Sequence, residues 1–398
     1  MKNSLIALSI LLSVNILVAQ NRSINFDHGT FAELKQKALK ENKLIFVDAF
    51  TTWCGPCKQM AKTVFTNDTV ADYYNNHFVN AKIDMEKGEG IELAKQYQVN
   101  CYPNLLFIDG KGNIVHRVGG SMSASSFVKF AETTTMSNET YSYYYNNYEQ
   151  NKSNPDFLMK YIEMQAGTCI EPTAAVNHYF SLQKTDELTS AKNWDMIKQY
   201  SNSMDTKEYA YLATNKTKFD ALYTTEEVNA KLDDIHYSSL VNIIKTKPFN
   251  ETTYNQTKTT ILKSNLANAP KVIFESDLRL AQKNKDWKSY AVVATNNVDK
   301  YYSKSAEELN SISWTFFENV TDKTALLKAE SWAKLSTELE PNFANYDTYA
   351  NLLFKNGNNK IALQVANKSI ELAKQDNLSV SDYQSTLDLI EQIKKAKK

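Results

Sequence analysis

The chain has 398 residues, 42% of them hydrophobic and 23% charged, enough for two or three domains of ordinary globular composition. Lysine plus arginine, at 45, equals aspartate plus glutamate, so no basic excess points to a nucleic-acid or anionic-lipid partner. In chain order the first feature is Lys2 followed by the apolar run LIALSILLSVNILVA, ending at Ala19. About fifteen residues is short for a membrane span, which needs roughly 18 or more. The run reads as a secretory signal over residues 1–19, which predicts an exported, periplasmic protein beginning near Gln20. An uncleaved anchor is the alternative.

Eight of the ten glycines precede residue 121. Turns between short strands need glycine, whereas stacked helices need little, so a mixed α/β domain over 22–136 is expected before a nearly all-helical remainder. TFAELKQKALKEN opens with a capping box, Thr30 to Glu33, and has helical apolar spacing. KLIFVDAF reads as a buried strand, and TTWCGPCKQM then opens a helix reaching Phe65. FVNAKIDM is a second strand and GIELAKQY a short helix. NLLFID and GNIVHRV are strands joined by the turn DGKG, and ASSFVKFAETT is a closing helix. The β-α-β-α-β-β-α order predicts a small mixed sheet with helices on both faces.

Residues 137–155 place five tyrosines within 141–148 and end in a turn-like SNP, which reads as a linker. From 156 to 398 amphipathic segments follow, with capping boxes expected at Thr224–Glu227 and Ser305–Glu308. Over 309–375 the last two helix pairs resemble a tetratricopeptide repeat. Ala329 and Ser336 precede Ala362 and Ser369 by 33 residues, close to the usual period of about 34.

The chemistry concentrates in Cys54-Gly55-Pro56-Cys57. A zinc site needs four ligands, and neither the single cysteines Cys101 and Cys169 nor the scattered histidines supply a second pair, so no metal is expected. As a structural staple the pair closes too small a loop to remove much entropy. A redox dithiol remains. Cys54 falls where a strand ends and a helix starts, and there unpaired amides and the helix dipole favour a thiolate. Pro56 is tolerated in the first turn. Cys57, three residues on and expected to be the more buried, would resolve the mixed disulfide that Cys54 forms.

VDAFTTWCGPCKQM resembles the active-site segment of the thioredoxin family, and NCYPN at 100–104 resembles its proline loop. KTVFTNDTV and EKGEG are similar to the periplasmic thioredoxin-like domains of membrane thiol transporters. The resemblance covers about 25–135 and implies a thioredoxin fold. It also implies a redox-active Cys54–Cys57 disulfide and a buried acid, Asp48, which takes the proton of Cys57. Trp53, Gly55 and Pro56 would shape the substrate surface, with a cis Pro103 that brings the backbone of Tyr102 against a bound peptide. Two departures stand out: Asn104 replaces the family's threonine, and Asn80 stands where a lysine is expected near the buried acid. Cys101 reads as a small hydrophobe or a third redox thiol, and Cys169 as buried and inert.

The function expected is that of an exported thiol–disulfide oxidoreductase of the protein disulfide reductase or isomerase type, working without a cofactor. Its partners would be disulfide-bearing clients, held by the helical region, and a membrane thiol transporter as electron donor. The competing class is a binding protein in which the thioredoxin-like domain recognises rather than turns over.

Overall fold

The computed structural model describes residues 22–136 and 139–396, so the signal segment expected at 1–19 lies outside the described residues. The chain forms two compact units that divide between Lys184 and Thr185.

In the first unit β1 (Phe26–Asp27) leads to α1 (Phe31–Glu41), whose capping box at Thr30 and Glu33 is formed. There follow β2 (Leu44–Phe50), α2 (Gly55–Thr63), α3 (Asp68–His77), β3 (Phe78–Asp84) and α4 (Gly90–Gln96). The hairpin β4 (Asn104–Ile108) and β5 (Ile114–Gly119) precedes α5 (Ala124–Met136). Two elements were not expected: the two-residue β1, too short to show a pattern, and α3, capped by Asn67. The five strands lie in the order β1-β3-β2-β4-β5. β3 runs parallel to β1 and β2, while β4 is antiparallel to β2 and β5.

Alternation along β2 separates two cores. Ile45, Val47 and Ala49 join Phe31, Leu34, Val79, Leu93 and Leu106 on one face. Phe46 faces the other way, against Met60 of α2, Tyr74 of α3 and Phe127 of α5. By the same alternation Asp48 belongs to the Phe46 face, the one that α2 covers.

The segment read as a linker is largely helical. It holds α6 (Tyr141–Asn146) and α7 (Tyr148–Asn151), followed by α8 (Pro155–Ala166) and α9 (Thr173–Leu182). All four belong to the first unit. Tyr144 is buried against Phe157, and Tyr148 packs on Tyr161, whereas Tyr143 and Tyr145 are exposed. The tyrosines thus divide between a seam with α8 and the surface. Cys169, just after α8, is disulfide-bonded to Cys101, which corrects both readings of these residues as separate thiols. Cys169 is also exposed rather than buried.

The second unit is helical throughout. It comprises α10 (Ala191–Tyr200), α11 (Lys207–Thr214), α12 (Lys216–Leu222), α13 (Thr225–Lys245), α14 (Glu251–Lys263) and α15 (Ala269–Lys283). These continue into α16 (Trp287–Tyr301), α17 (Ala306–Asn319), α18 (Lys323–Leu339), α19 (Phe343–Lys355), α20 (Asn359–Gln375) and α21 (Gln384–Ala396). Its apolar clusters draw on helices adjacent in sequence, as in α13–α15 and α19–α21, the packing expected of stacked hairpins. Ala329, Ser336, Ala362 and Ser369 are all fully buried, so the positions 33 residues apart face the core alike. Thr224 and Ser305 cap their helices by accepting from the amides of Glu227 and Glu308. The carboxylate of Glu227 turns instead to Trp194 and Lys198.

Candidate functional site

β2 ends at Phe50 and the chain turns through Thr51–Trp53 into α2. Cys54 is the N-cap of that helix, and its Sγ accepts the amide of Cys57 at 3.1 Å. Gly55 and Pro56 occupy the first turn, where the missing proline N–H has no intrahelical partner to lose. Cys54 and Cys57 are joined in a disulfide. The expected asymmetry of burial is not present in this oxidised form, since Cys54 is 3% and Cys57 2% exposed. A disulfide between residues three apart places the two sulfurs side by side. What distinguishes the two is the cap: Cys54 alone sits at the helix terminus and receives an amide hydrogen.

Asp48 is fully buried on β2, six residues before Cys54. Among the described residues neither of its oxygens accepts a hydrogen bond. Burial pushes its carboxyl up to about 6, a rise that Lys82 restrains. Lys82 Nζ lies 3.5 Å from Asp48 Oδ2 because the parallel register sets Asp48 opposite Lys82. A lysine therefore does stand beside the buried acid, two residues after Asn80, the position where the resemblance implies one. Asn80 sits opposite Phe46 and hydrogen-bonds to the carbonyl of Tyr74.

The β2–β4 register sets Ala49 opposite Asn104 and so brings the proline loop beside the end of β2. The Tyr102–Pro103 peptide is cis. Trp53 is 64% exposed, meets the Tyr102 ring edge-to-face at 5.9 Å, and donates its indole N–H to Glu86. Trp53 and Tyr102 thus form a shared aromatic rim beside the dithiol, anchored by Glu86, which no local pattern singles out.

Behind the loop stands Arg117 of β5, 2% exposed. It donates to the carbonyls of Tyr97 and Gln98 and to Asn104 Oδ1. Asn104 in turn points its amide at Cys101 Sγ, at 3.8 Å. The substitution of asparagine for threonine after the proline therefore has a structural use: its side chain links Arg117 to Cys101. Arg117 was missed because a single arginine inside an apolar strand carries no motif. The pairing of Cys101 with Cys169 had one available signal, the even number of cysteines in a chain expected to be exported.

Residues 31–135 match the family model of the thioredoxin-like domain. Thioredoxin-T of Drosophila melanogaster is 35% identical over 89 residues, 22% of this chain and 53% of that protein. The thiol:disulfide interchange protein DsbD of Tatumella citrea is 30% identical over 118 residues, 28% of this chain and 20% of that one. A solution structure of a proposed disulphide-isomerase from Bacteroides thetaiotaomicron is 50% identical, covering 30% of this chain and 98% of that one with a TM-score of 0.28. The chain spans about half the length of Thioredoxin-T and a fifth of DsbD. A mixed five-stranded sheet with a Cys-x-x-Cys pair capping the helix after its central strand defines a dithiol–disulfide protein. Residues 31–135 belong to the thioredoxin-like family.

Proposed function

We propose that the protein is a thiol–disulfide oxidoreductase in which Cys54 and Cys57 carry the electrons. The observation that carries this reading is the Cys54–Cys57 disulfide at a helix N-terminus, with a buried high-pKa carboxyl on the strand leading to it. In the reduced protein the Cys54 thiolate attacks one sulfur of a client disulfide, and the other client sulfur leaves as a thiolate. Cys57 loses its proton to Asp48 and attacks Cys54 Sγ. That step releases the second client thiolate and re-forms the Cys54–Cys57 disulfide. A carboxyl near 6 is suited to this transfer, since it is mostly ionised at neutral pH yet remains basic enough to accept a proton. Trp53, Gly55, Pro56, Tyr102 and Pro103 present the client.

The likeness of this segment to DsbD supports a periplasmic setting and a membrane thiol transporter as electron donor. No described helix is long and apolar enough to cross a membrane. The helical hairpins of the second unit, tetratricopeptide-like over 309–375, suit the binding of a protein client or partner, as stacked hairpins generally do. The experiment is insulin reduction with dithiothreitol as donor, comparing the wild type with Cys54→Ser and Cys57→Ser. Acceleration by the wild type and its loss in Cys54→Ser are expected. A wild type that gives no acceleration would favour a binding protein instead.

A further inference from the structure

The second disulfide lies in the loop that presents the client. Cys101 is two residues before Pro103, and its partner Cys169, 68 residues on, ends the turn after α8. The two sulfurs close over Gly119 of β5: a Cβ there would stand 2.5 Å from Cys101 Sγ and 2.7 Å from Cys169 Sγ. Around them Gly119 N–H donates to the carbonyl of Gly167, and the Asn100 amide reaches the carbonyl of Cys169. Exposed or strained disulfides are the labile ones, because exchange needs access to a sulfur. Here Cys169 is exposed and Cys101 half-buried. Cys169 also holds a left-handed backbone, φ 58°, which costs a residue bearing a Cβ. The other sulfur has a prepared environment. Asn104 Nδ2 points at Cys101 Sγ, and its carbonyl oxygen accepts from the buried guanidinium of Arg117. The positive charge polarises the amide toward the sulfur, so negative charge developing on Cys101 is favoured over that on Cys169, whose Sγ takes no hydrogen bond among the described residues.

We propose that Cys101–Cys169 is a second exchangeable redox site, reduced by an external dithiol that attacks the exposed Cys169 and expels Cys101. A thiolate of the dithiol bonds to Cys169 Sγ as the Cys101–Cys169 bond breaks. Cys101 leaves with the electron pair and takes a proton from solvent. The second thiol of the dithiol, deprotonated, then attacks its own sulfur in the mixed disulfide and frees Cys169, which is protonated in turn. The dithiol ends as a disulfide, and the cysteine pair has gained two electrons and two protons. Once the bond is reduced, the tie between the proline loop and the turn after α8 is, among the described residues, the Asn100 hydrogen bond to the Cys169 carbonyl. The proposal does not rest on turnover at Cys54–Cys57, because its readout is the state of residues 101 and 169.

The test uses the full chain in native buffer with dithiothreitol, quenched by alkylation and mapped peptide by peptide. A guanidinium-unfolded sample serves as the reference. Native reduction of Cys101–Cys169 within about a hundredfold of the unfolded rate supports the site, because a bond reached only through global unfolding would be slowed by the whole stability of the domain. Slower reduction overturns it. With glutathione as a one-thiol probe, the mixed disulfide is expected on Cys169, and an adduct on Cys101 would overturn the direction of attack. The Cys54→Ser/Cys57→Ser chain should be reduced at 101–169 as fast as the wild type. If only the wild type is reduced, electrons arrive from Cys54–Cys57 and the external route is wrong.

Discussion

Lys82 Nζ stands 3.5 Å from Asp48 Oδ2, across a parallel register that sets the two residues directly opposite on β3 and β2. Lys82 is itself held over the rings of Phe50 and Phe65, so its charge is kept near the acid by aromatic faces. The pair is unequal. Burial of Asp48 wins, leaving the carboxyl near 6 rather than 3.8.

A raised carboxyl means that the folded chain holds an extra proton between about pH 4 and pH 6. Stability from this group is therefore greatest below pH 4 and falls as pH rises through 6. The full cost at neutral pH is about 3 kcal/mol for a rise from 3.8 to about 6. Asp48→Asn should be more stable than the wild type at pH 8 by up to that amount, with the difference vanishing near pH 4. Denaturant unfolding at both values checks it; an equal difference at both would mean the ionised carboxylate carries no penalty. The same variant should slow release of the mixed disulfide while sparing the first attack by Cys54.

Cys54 should alkylate faster than Cys57 in the reduced protein near neutral pH, with a thiol pKa below the ordinary value of about 8.5. The asymmetry comes from the cap, since the two are equally buried when oxidised. The measurement is the pH dependence of iodoacetamide labelling at each site, and equal rates would remove the assignment of Cys54 as nucleophile.

Arg117→Lys should destabilise the first unit by about 3 kcal/mol, although the charge is conserved. One guanidinium serves the carbonyls of Tyr97 and Gln98 and the Asn104 side chain, and an ammonium cannot reach all three in that fork. Each buried acceptor left unpaired costs about 1–3 kcal/mol. Thermal unfolding reads the loss, and a change within about 0.5 kcal/mol would mean that an ammonium satisfies the same acceptors.

The local parts of the site were legible in the sequence and the non-local parts were not. Cys54, Pro56 and the start of α2 follow from strand, turn and cap within ten residues, and each stands as read. Asn80, not Lys82, stands where the resemblance implies a lysine, because only strand register decides which residue of β3 faces Asp48, and a pattern of period 2 does not show it. Cys101–Cys169 escaped for the same reason on a larger scale, since its two halves are 68 residues apart and the second follows a segment that reads as a linker. Tyrosine-rich sequence with a terminal turn looks like a joint until α8 is placed beside it.

The last prediction concerns where the first unit ends. α6 is tied to β5 by the Tyr141 amide, which donates to His116 Nδ1, and by the Tyr141 ring near Arg117. The turn after α8 is tied by Gly119 N–H to Gly167 and by the Cys101–Cys169 bond. A chain cut at 136 loses all four ties and leaves Cys101 as a free thiol beside the proline loop. A chain cut at 184 keeps them. Closing a loop of this length contributes several kcal/mol in the chain-entropy account, about 4. Residues 22–184 should therefore unfold as one cooperative unit at a clearly higher temperature than residues 22–136. Reducing Cys101–Cys169 should lower the unfolding temperature of the longer fragment toward that of the shorter. Calorimetry of both fragments, oxidised and reduced, gives the comparison. Equal unfolding temperatures for the two oxidised fragments would show that α6–α9 only decorate a domain already complete at 136.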